Sequence, residues 1–384
     1  MTSTASGPLA GLTVIEMAGL GPTPFCGMML GDMGAEVIRI ERTGPSDLGI
    51  EFPSQFDLRN RNKKSVALDL KSADGKAALT RLIVAADALL EGFRPGVMEK
   101  LGIGPEDCWT LRPSLVYARA TGWGQDGPLA KIAGHDINYI ALVGALDMIG
   151  PAEGPPSVPL NLLGDYGGGA MYMAFGVVCA LLEARRSGKG QIVDAAMMDG
   201  VNSLLAVFHG FRQAGLQHPR GENVLDGGAP YYRCYATSDG GWMAVGAIEE
   251  KFYATLIELL ELDPATLPAQ NNRDGWPTLQ DRFAERFRSR SRAEWQTVFD
   301  GTDACVSPVL SLMDAESHPH VTARAMFVTE GDLKHPRPAP RLSLTPGAVR
   351  SNAPVRGQDT ENVLRKNGFN EEEIARLTQT PSAA

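Results

Sequence analysis

Cysteine is scarce in this chain and shows no pairing pattern. Cys26, Cys108, Cys179, Cys234 and Cys305 are scattered, none in C-x-x-C spacing, and their number is odd. That excludes a disulfide framework and points to a reduced, cytoplasmic protein. No Cys/His cluster has ligand spacing, so no metal site is expected. An excess of positive charge is also missing. The formal net charge is -9, which argues against nucleic acid as a general partner, although local basic patches could hold a phosphorylated ligand. The longest uncharged apolar stretch, Ala170 to Leu182, is too short to span a bilayer and reads as a buried helix. Met1 to Pro8 lack the basic start and apolar stretch of a signal peptide. No internal repeat or low-complexity block is present.

What is there suits a soluble enzyme. The 384 residues are 43% hydrophobic and 21% charged, enough apolar material for one large domain or two smaller ones. The opening reads as β-α-β: a strand over Leu12–Met17, a turn at Gly19-Leu20-Gly21-Pro22, a helix over Phe25–Met33 closed by Gly34, and a second strand over Ala35–Glu41. Ser65–Leu70 alternates like a strand. Ser72 can cap a helix over Ala73–Ala86, and strands follow at Ala88–Glu91 and Leu115–Ala120. Alternation of this kind defines an α/β domain, Rossmann-like, with parallel strands. His135 opens a helix with Asp136 placed as its cap. A second helical stretch covers Asp194–Val207. From Asn223 the texture becomes α+β: short strands at Tyr231–Ala236 and Trp242–Val245, a helix from near Glu249, and a helix over Arg292–Phe299 capped by Ser291. Lys334–Pro340 reads as a Pro-rich linker, and Asn370 with Glu373 as a capping box. The expected division is 1–200 large α/β domain, 201–224 linking helical region, 225–315 small α+β domain, and 316–384 linker and C-terminal segment.

Three groups of residues could carry chemistry. Gly19-x-Gly21 with Glu41 resembles half of a dinucleotide fingerprint. Pro24 fills the third glycine position and Pro22 removes a backbone donor, which favours a plain tight turn. Arg39, Arg42, Arg59, Arg61, Lys63, Lys64, Lys71 and Arg94 form a basic group that either pairs with ligand phosphates or is solvated surface. The third group holds two similarly placed residues, His135 in Gly134-His135-Asp136 and Asp165 in Gly164-Asp165-Tyr166 followed by glycines. Each sits at a helix start, where an anion meets backbone N–H groups and a positive dipole end. Taken alone, either could be a helix cap, and Glu249 an N-terminal helix carboxylate. Met171, Met173, Met197 and Met198 read as core packing or as an adaptable apolar acyl site.

Longer motifs narrow these choices. Gly34–Glu41, Asn62–Lys71, Glu91–Val97, Gly134–Tyr139, Asn161–Gly169, Leu225–Tyr232 and Ala244–Glu249 together resemble the α-methylacyl-CoA racemases of the class III (CaiB/BaiF-type) CoA-transferase superfamily, nearly end to end. The resemblance implies a large Rossmann-like α/β domain plus a smaller α+β domain in an interlocked homodimer, with the C-terminal segment returning to the large domain. It implies His135 and Asp165 as the acid/base pair, with Glu249, supplied by the second subunit, hydrogen-bonding the histidine. Coenzyme A, as part of the thioester substrate and not a prosthetic group, is expected at Arg42 and Arg94, with Leu68, Leu70 and Lys71 beside the adenine. Asp136, Tyr139, Asn161, Tyr166, Gly167 and Tyr232 are expected around the substrate and its enolate, whose oxygen backbone N–H groups at Asp165–Gly167 could hold.

The expected activity is interconversion of (R)- and (S)-2-methylacyl-CoA through an enolate. The alternative within the superfamily is a CoA-transferase in which Asp165 attacks the thioester and forms an acyl anhydride. His135 argues against that, because transfer needs no second base. A nicotinamide-dependent dehydrogenase would rest only on the incomplete glycine turn. A non-catalytic CoA-binding protein would make the His135, Asp165 and Glu249 set a coincidence.

Overall fold

Strands β1 (Thr13–Met17), β2 (Glu36–Glu41), β3 (Lys63–Ala67), β4 (Ala88–Glu91), β5 (Val116–Thr121) and β6 (Ile192–Ala196) form one sheet in the order β3-β2-β1-β4-β5-β6. All five pairings are parallel. The computed structural model describes residues 6–44, 49–50 and 52–378. A parallel sheet is covered on both faces, so its central strands are buried: every residue of β4 and β5 is buried, the paired Glu91 and Arg119 included. Neighbouring residues feed opposite faces. Ile15, Ile38 and Leu89 pack against Leu79 and Leu82 of the helix Ala73–Val84 and against Val363 and Leu364. Val14, Val37 and Leu90 pack against Cys26 and Leu30 of the helix Pro22–Asp32 and against Met173 and Val177 of the helix Tyr172–Ser187. The strand order reverses between β1 and β4, and in such sheets the ligand crevice opens outside the carboxyl ends of those strands.

The chain divides into two units. The first takes residues up to Val143, Leu160–Leu204 and everything from Ala323; the second takes Gly144–Pro159 and Leu205–Thr322. The stretch 144–159 thus groups with the second unit, although sequence continuity had suggested the first. The second unit has a three-stranded antiparallel sheet, β7 (Tyr232–Ala236), β8 (Trp242–Gly246) and β9 (Val306–Pro308). Its core is built on Tyr235, Met243, Phe283, Phe287 and Trp295. Ser291 caps the Arg292–Phe299 helix reciprocally with Glu294.

Several elements differ from the sequence expectation. Residues 194–196 are not helical: they belong to β6, which pairs with β5, and the helix starts at Met197. Asp194 hides this strand because it stands on an edge with a solvated face. Leu333–Pro336 is a strand rather than linker, β11, paired antiparallel with β10 (Phe327–Glu330). Gly331 at φ +56° supplies the left-handed turn, and Pro336 ends the strand where no ladder donor is required. Strand β3 begins at Lys63, before the expected Ser65, because Lys63 points inward. The apolar helix extends from Leu162 to Ser187, among the described residues the one helix long and apolar enough to cross a membrane. Its Ala170, Met173, Val177, Ala180 and Leu181 are packed in the core of the first unit, as in a core helix.

Lys63 and Glu16 form an ion pair (2.7 Å) with both side chains at 0% exposure. Arg39 Nη1 donates to the other Glu16 oxygen at 2.6 Å, and Lys63 Nζ donates to the Pro24 carbonyl at 2.8 Å. Removing Lys63 leaves one Glu16 oxygen without a partner in the core while Arg39 still holds the other. Lys63→Met is therefore expected to lower unfolding free energy by about 1–3 kcal/mol, measured from urea midpoints. A loss under about 0.5 kcal/mol, the range of a neutral surface change, would mean that Arg39 alone satisfies Glu16.

Candidate active site

Asp165 lies on a wide-turned π-helical segment, Leu162–Met171, that runs into the Tyr172–Ser187 helix. Such segments recur at functional sites because the extra residue per turn displaces side chains from ordinary helical packing. The Asp165 carboxylate rests against Gly21, the residue before the Pro22–Asp32 helix. A Cβ on Gly21 would stand 3.0 Å from Oδ1 and 3.3 Å from Oδ2, and its φ of +62° also favours glycine. The carboxylate thus meets the positive end of an 11-residue helix. The Gly19-x-Gly21 turn thus lets the protein's own Asp165 carboxylate approach the backbone closely.

Asn161 Nδ2 donates to Asp165 Oδ2 at 3.0 Å. Burial raises the Asp165 carboxyl above the ordinary range, while the Asn161 bond and the charges of Arg59 and His135 pull it back down. Arg59 is held as a fork by Asp57, Nε to Oδ1 at 2.7 Å and Nη2 to Oδ2 at 3.0 Å. Tyr166, the next residue after Asp165, stacks its ring on Phe25 at 4.6 Å. Asn161→Ala removes a donor that favours the ionised form. If Asp165 acts as a base, the expected result is an acid limb of the pH–rate profile displaced to higher pH, because its ionised form is then lost to protonation earlier. A limb that stays in place or moves down contradicts this assignment.

His135 is the residue before the Asp136–Leu142 helix and is solvent-exposed, with its backbone N–H donated to Asn138 Oδ1 at 3.0 Å. The helix cap expected at Asp136 is therefore one residue off. Asp136 is the first helical residue, 7% exposed, and its Oδ2 accepts the Asp165 backbone N–H at 2.6 Å. Two expectations change with this bond. Asp136 faces protein backbone, the Asp165 N–H is already engaged, and those of Tyr166 and Gly167 turn back along the π-helix to the carbonyls five residues before them, so none of the three expected donors is left open. Tyr139 is 7% exposed and its hydroxyl donates to the Gly134 carbonyl. Its ring meets Trp123 edge-on at 4.7 Å. It braces the backbone ahead of His135.

The basic group separates into two kinds. Arg39, Arg61 and Lys63 are internal: Arg61 pairs with Asp32 at 2.6 Å, both side chains 3% exposed, and the other two serve Glu16. Arg42, Lys71 and Arg94 are exposed, and the charge of Arg94 reaches Tyr139. Leu68 is 1% exposed and packs in the core, with Leu70 against it. Their side chains face the sheet interior, so any adenine contact there falls to backbone. A cavity of about 390 Å³ opens at the carboxyl ends of β2 and β3, lined by Thr43, Ala67, Gln358, Thr360 and Asn362 among others. Among the described residues no group of three or more His, Cys, Asp or Glu could hold a metal ion. Of the methionines, Met173 and Met197 are buried, and Met171 is 48% exposed.

In the second unit, Glu249 follows β8 and precedes the helix Glu250–Leu259. Its carboxylate is exposed, makes no capping bond, and lies near enough to Cys305 to raise that thiol after burial has done so. Tyr232 is half-buried on β7. The first unit therefore gathers His135, Asp136, Tyr139, Asn161, Asp165, Tyr166 and Gly167, while Glu249 and Tyr232 belong to the other. Sequence reasoning did not place Gly21 and Arg59 beside Asp165. The glycine turn and the basic cluster were visible signals, but their partner was not.

The chain belongs to CoA-transferase family III, whose sequence pattern matches residues 9–360. Alpha-methylacyl-CoA racemase of Mus musculus is 48% identical over 372 residues, covering 96% of each chain. Succinyl-CoA–D-citramalate CoA-transferase of Chloroflexus aurantiacus is 30% identical over 390 residues, again covering 96% of each. Among solved structures, a CAIB/BAIF family protein from Brucella suis shares the fold with a TM-score of 0.82, over 94% of this chain and 100% of that one, at 24% identity.

Proposed function

We propose that this protein is an α-methylacyl-CoA racemase: it interconverts (R)- and (S)-2-methylacyl-CoA thioesters by removing and returning the α-proton. The observation that carries the proposal is a second acid/base group, His135, whose neighbour Asp136 accepts the Asp165 backbone N–H at 2.6 Å and so brings the two groups together. A proton next to a thioester carbonyl is weakly acidic, so its removal needs a positioned base and a stabilised enolate oxygen. Inversion needs a second group on the opposite face. Neutral His135 and ionised Asp165 fill these roles in alternation, each acting as acid when the other has acted as base. Arg42 and Arg94, with Lys71, are suited to the CoA phosphates. The reaction so written uses no metal and no redox group; coenzyme A enters as part of the substrate.

Glu249 is assigned to orient His135 and support its charged form. It comes from the partner subunit of an interlocked homodimer, and the protein works in the cytoplasm. The higher identity to a racemase than to a transferase also supports this reading. The transferase alternative uses Asp165 as nucleophile and gives His135 nothing to do. The two are separated by incubating one enantiomer of 2-methylacyl-CoA with and without a dicarboxylate. Loss of optical purity without the acid is the expected result. CoA transfer on adding it, with configuration retained throughout, would sink the racemase assignment.

A further inference from the structure

We propose that Asp136 is a positioning residue that fixes the spacing of the two acid–base groups by gripping the backbone of Asp165. The inference rests on the racemase reading and concerns how its two bases are held. Asp136 directly follows His135 in the chain, and its Oδ2 accepts the Asp165 N–H at 2.6 Å. One side chain therefore joins the strand of backbone carrying one base to the peptide unit carrying the other. Gly164 has no Cβ because the carboxylate occupies that place: a Cβ there would lie 2.5 Å from Oδ2 and 2.7 Å from Cγ. The second oxygen, Oδ1, is buried with no hydrogen-bond partner, so the group is kept out of water for the sake of the Oδ2 contacts. Bonds from backbone N–H groups to an ionised carboxylate are about twice as strong as neutral ones. A carboxylate held in this way tethers a helix that would otherwise be free to slide past its neighbour.

Two substitutions separate this role from ordinary packing. Asp136→Asn keeps shape and an oxygen acceptor for the Asp165 N–H but removes the charge. Asp136→Ala removes the acceptor. Misplacement by about 1 Å costs about 100-fold in rate, so Asp136→Ala is expected to lower kcat about 100-fold with little change in KM. Asp136→Asn is expected to restore kcat to within about 10-fold of wild type, the share of a charge-assisted bond lost to a neutral one. Burial first, and then the charge of Asp165, raise the Asp136 carboxyl. Coupling between titrating groups is mutual, so the neutral Asn also moves the acid limb of the pH–rate profile to lower pH. A merely structural residue would not move that limb. The inference is overturned if Asp136→Ala keeps wild-type kcat, or if Asp136→Asn is as slow as Asp136→Ala. Should Asp136→Ala fail to fold, the Asn variant and its acid limb decide alone, and an unmoved limb then counts against the inference. If the wild-type protein itself exchanges no α-proton, the racemase reading has failed and not this one.

Discussion

Asp165→Asn is expected to abolish racemisation while leaving the fold as stable as before, or more so. A positioned general acid or base contributes about 10²–10⁴-fold, and inversion needs both members of the pair. The rate from either enantiomer should therefore fall by about 10³-fold or more. One-sided exchange should survive, because His135 can still remove and return a proton on its own face. One enantiomer then takes up solvent deuterium with its configuration kept. The stability side follows from the raised carboxyl. Burial places the folded pKa of Asp165 above its reference of 3.8, so folding favours the protonated form. Ionisation costs stability above that window, and the cost disappears as pH falls below 3.8. A neutral isostere removes it, so the urea midpoint of Asp165→Asn should match or exceed wild type at neutral pH and converge with it in acid. Loss of activity with unchanged or raised stability marks a group kept for chemistry. Racemisation within about 10-fold of wild type would instead put Asp165 outside the general acid–base machinery.

Inactive His135→Ala and Glu249→Ala chains should restore activity to each other. The proposal draws His135 and Asp165 from one subunit and Glu249 from its partner. In a mixed dimer one site carries both substitutions and the other carries neither. Co-expressed with two tags and purified through both, such a dimer should show about half the wild-type rate, one intact site of two. Each homodimer alone should lack racemase activity or nearly so. A mixed dimer as inactive as its parents would mean that Glu249 acts within its own chain, or not on His135 at all.

The parts of this structure that were legible in the sequence are those set by local rules. Strands β1, β2 and β4 announce themselves by buried apolar residues such as Val14, Ile15, Val37, Ile38, Leu89 and Leu90. Ser72 accepts the Gly75 N–H at 2.9 Å, and Asn370 and Glu373 exchange bonds of 2.7 and 2.9 Å, as their spacing implied. The parts that were not legible depend on partners far along the chain. Lys63 looked like one more surface cation, yet it is buried against Glu16, and only that partner explains the inward turn of β3. Gly21 was read correctly as a turn, but nothing near it announces the Asp165 carboxylate that fills its missing side chain. Asp136 had the composition of a helix cap and serves instead as an acceptor for a backbone N–H on another helix. His135 and Asp165 were each indistinguishable from a cap when read singly. The motif resemblance, not periodicity, joined them.

The most direct measurement is α-proton exchange. Purified protein is incubated in D2O with (R)-2-methylacyl-CoA and, separately, with the (S) form, with no carboxylate acceptor present. Deuterium content and optical configuration are followed together. The account predicts deuterium uptake at the α-carbon with approach to an equal mixture from both sides. Retention of the α-proton in both enantiomers, under conditions where the protein binds the thioester, would contradict it.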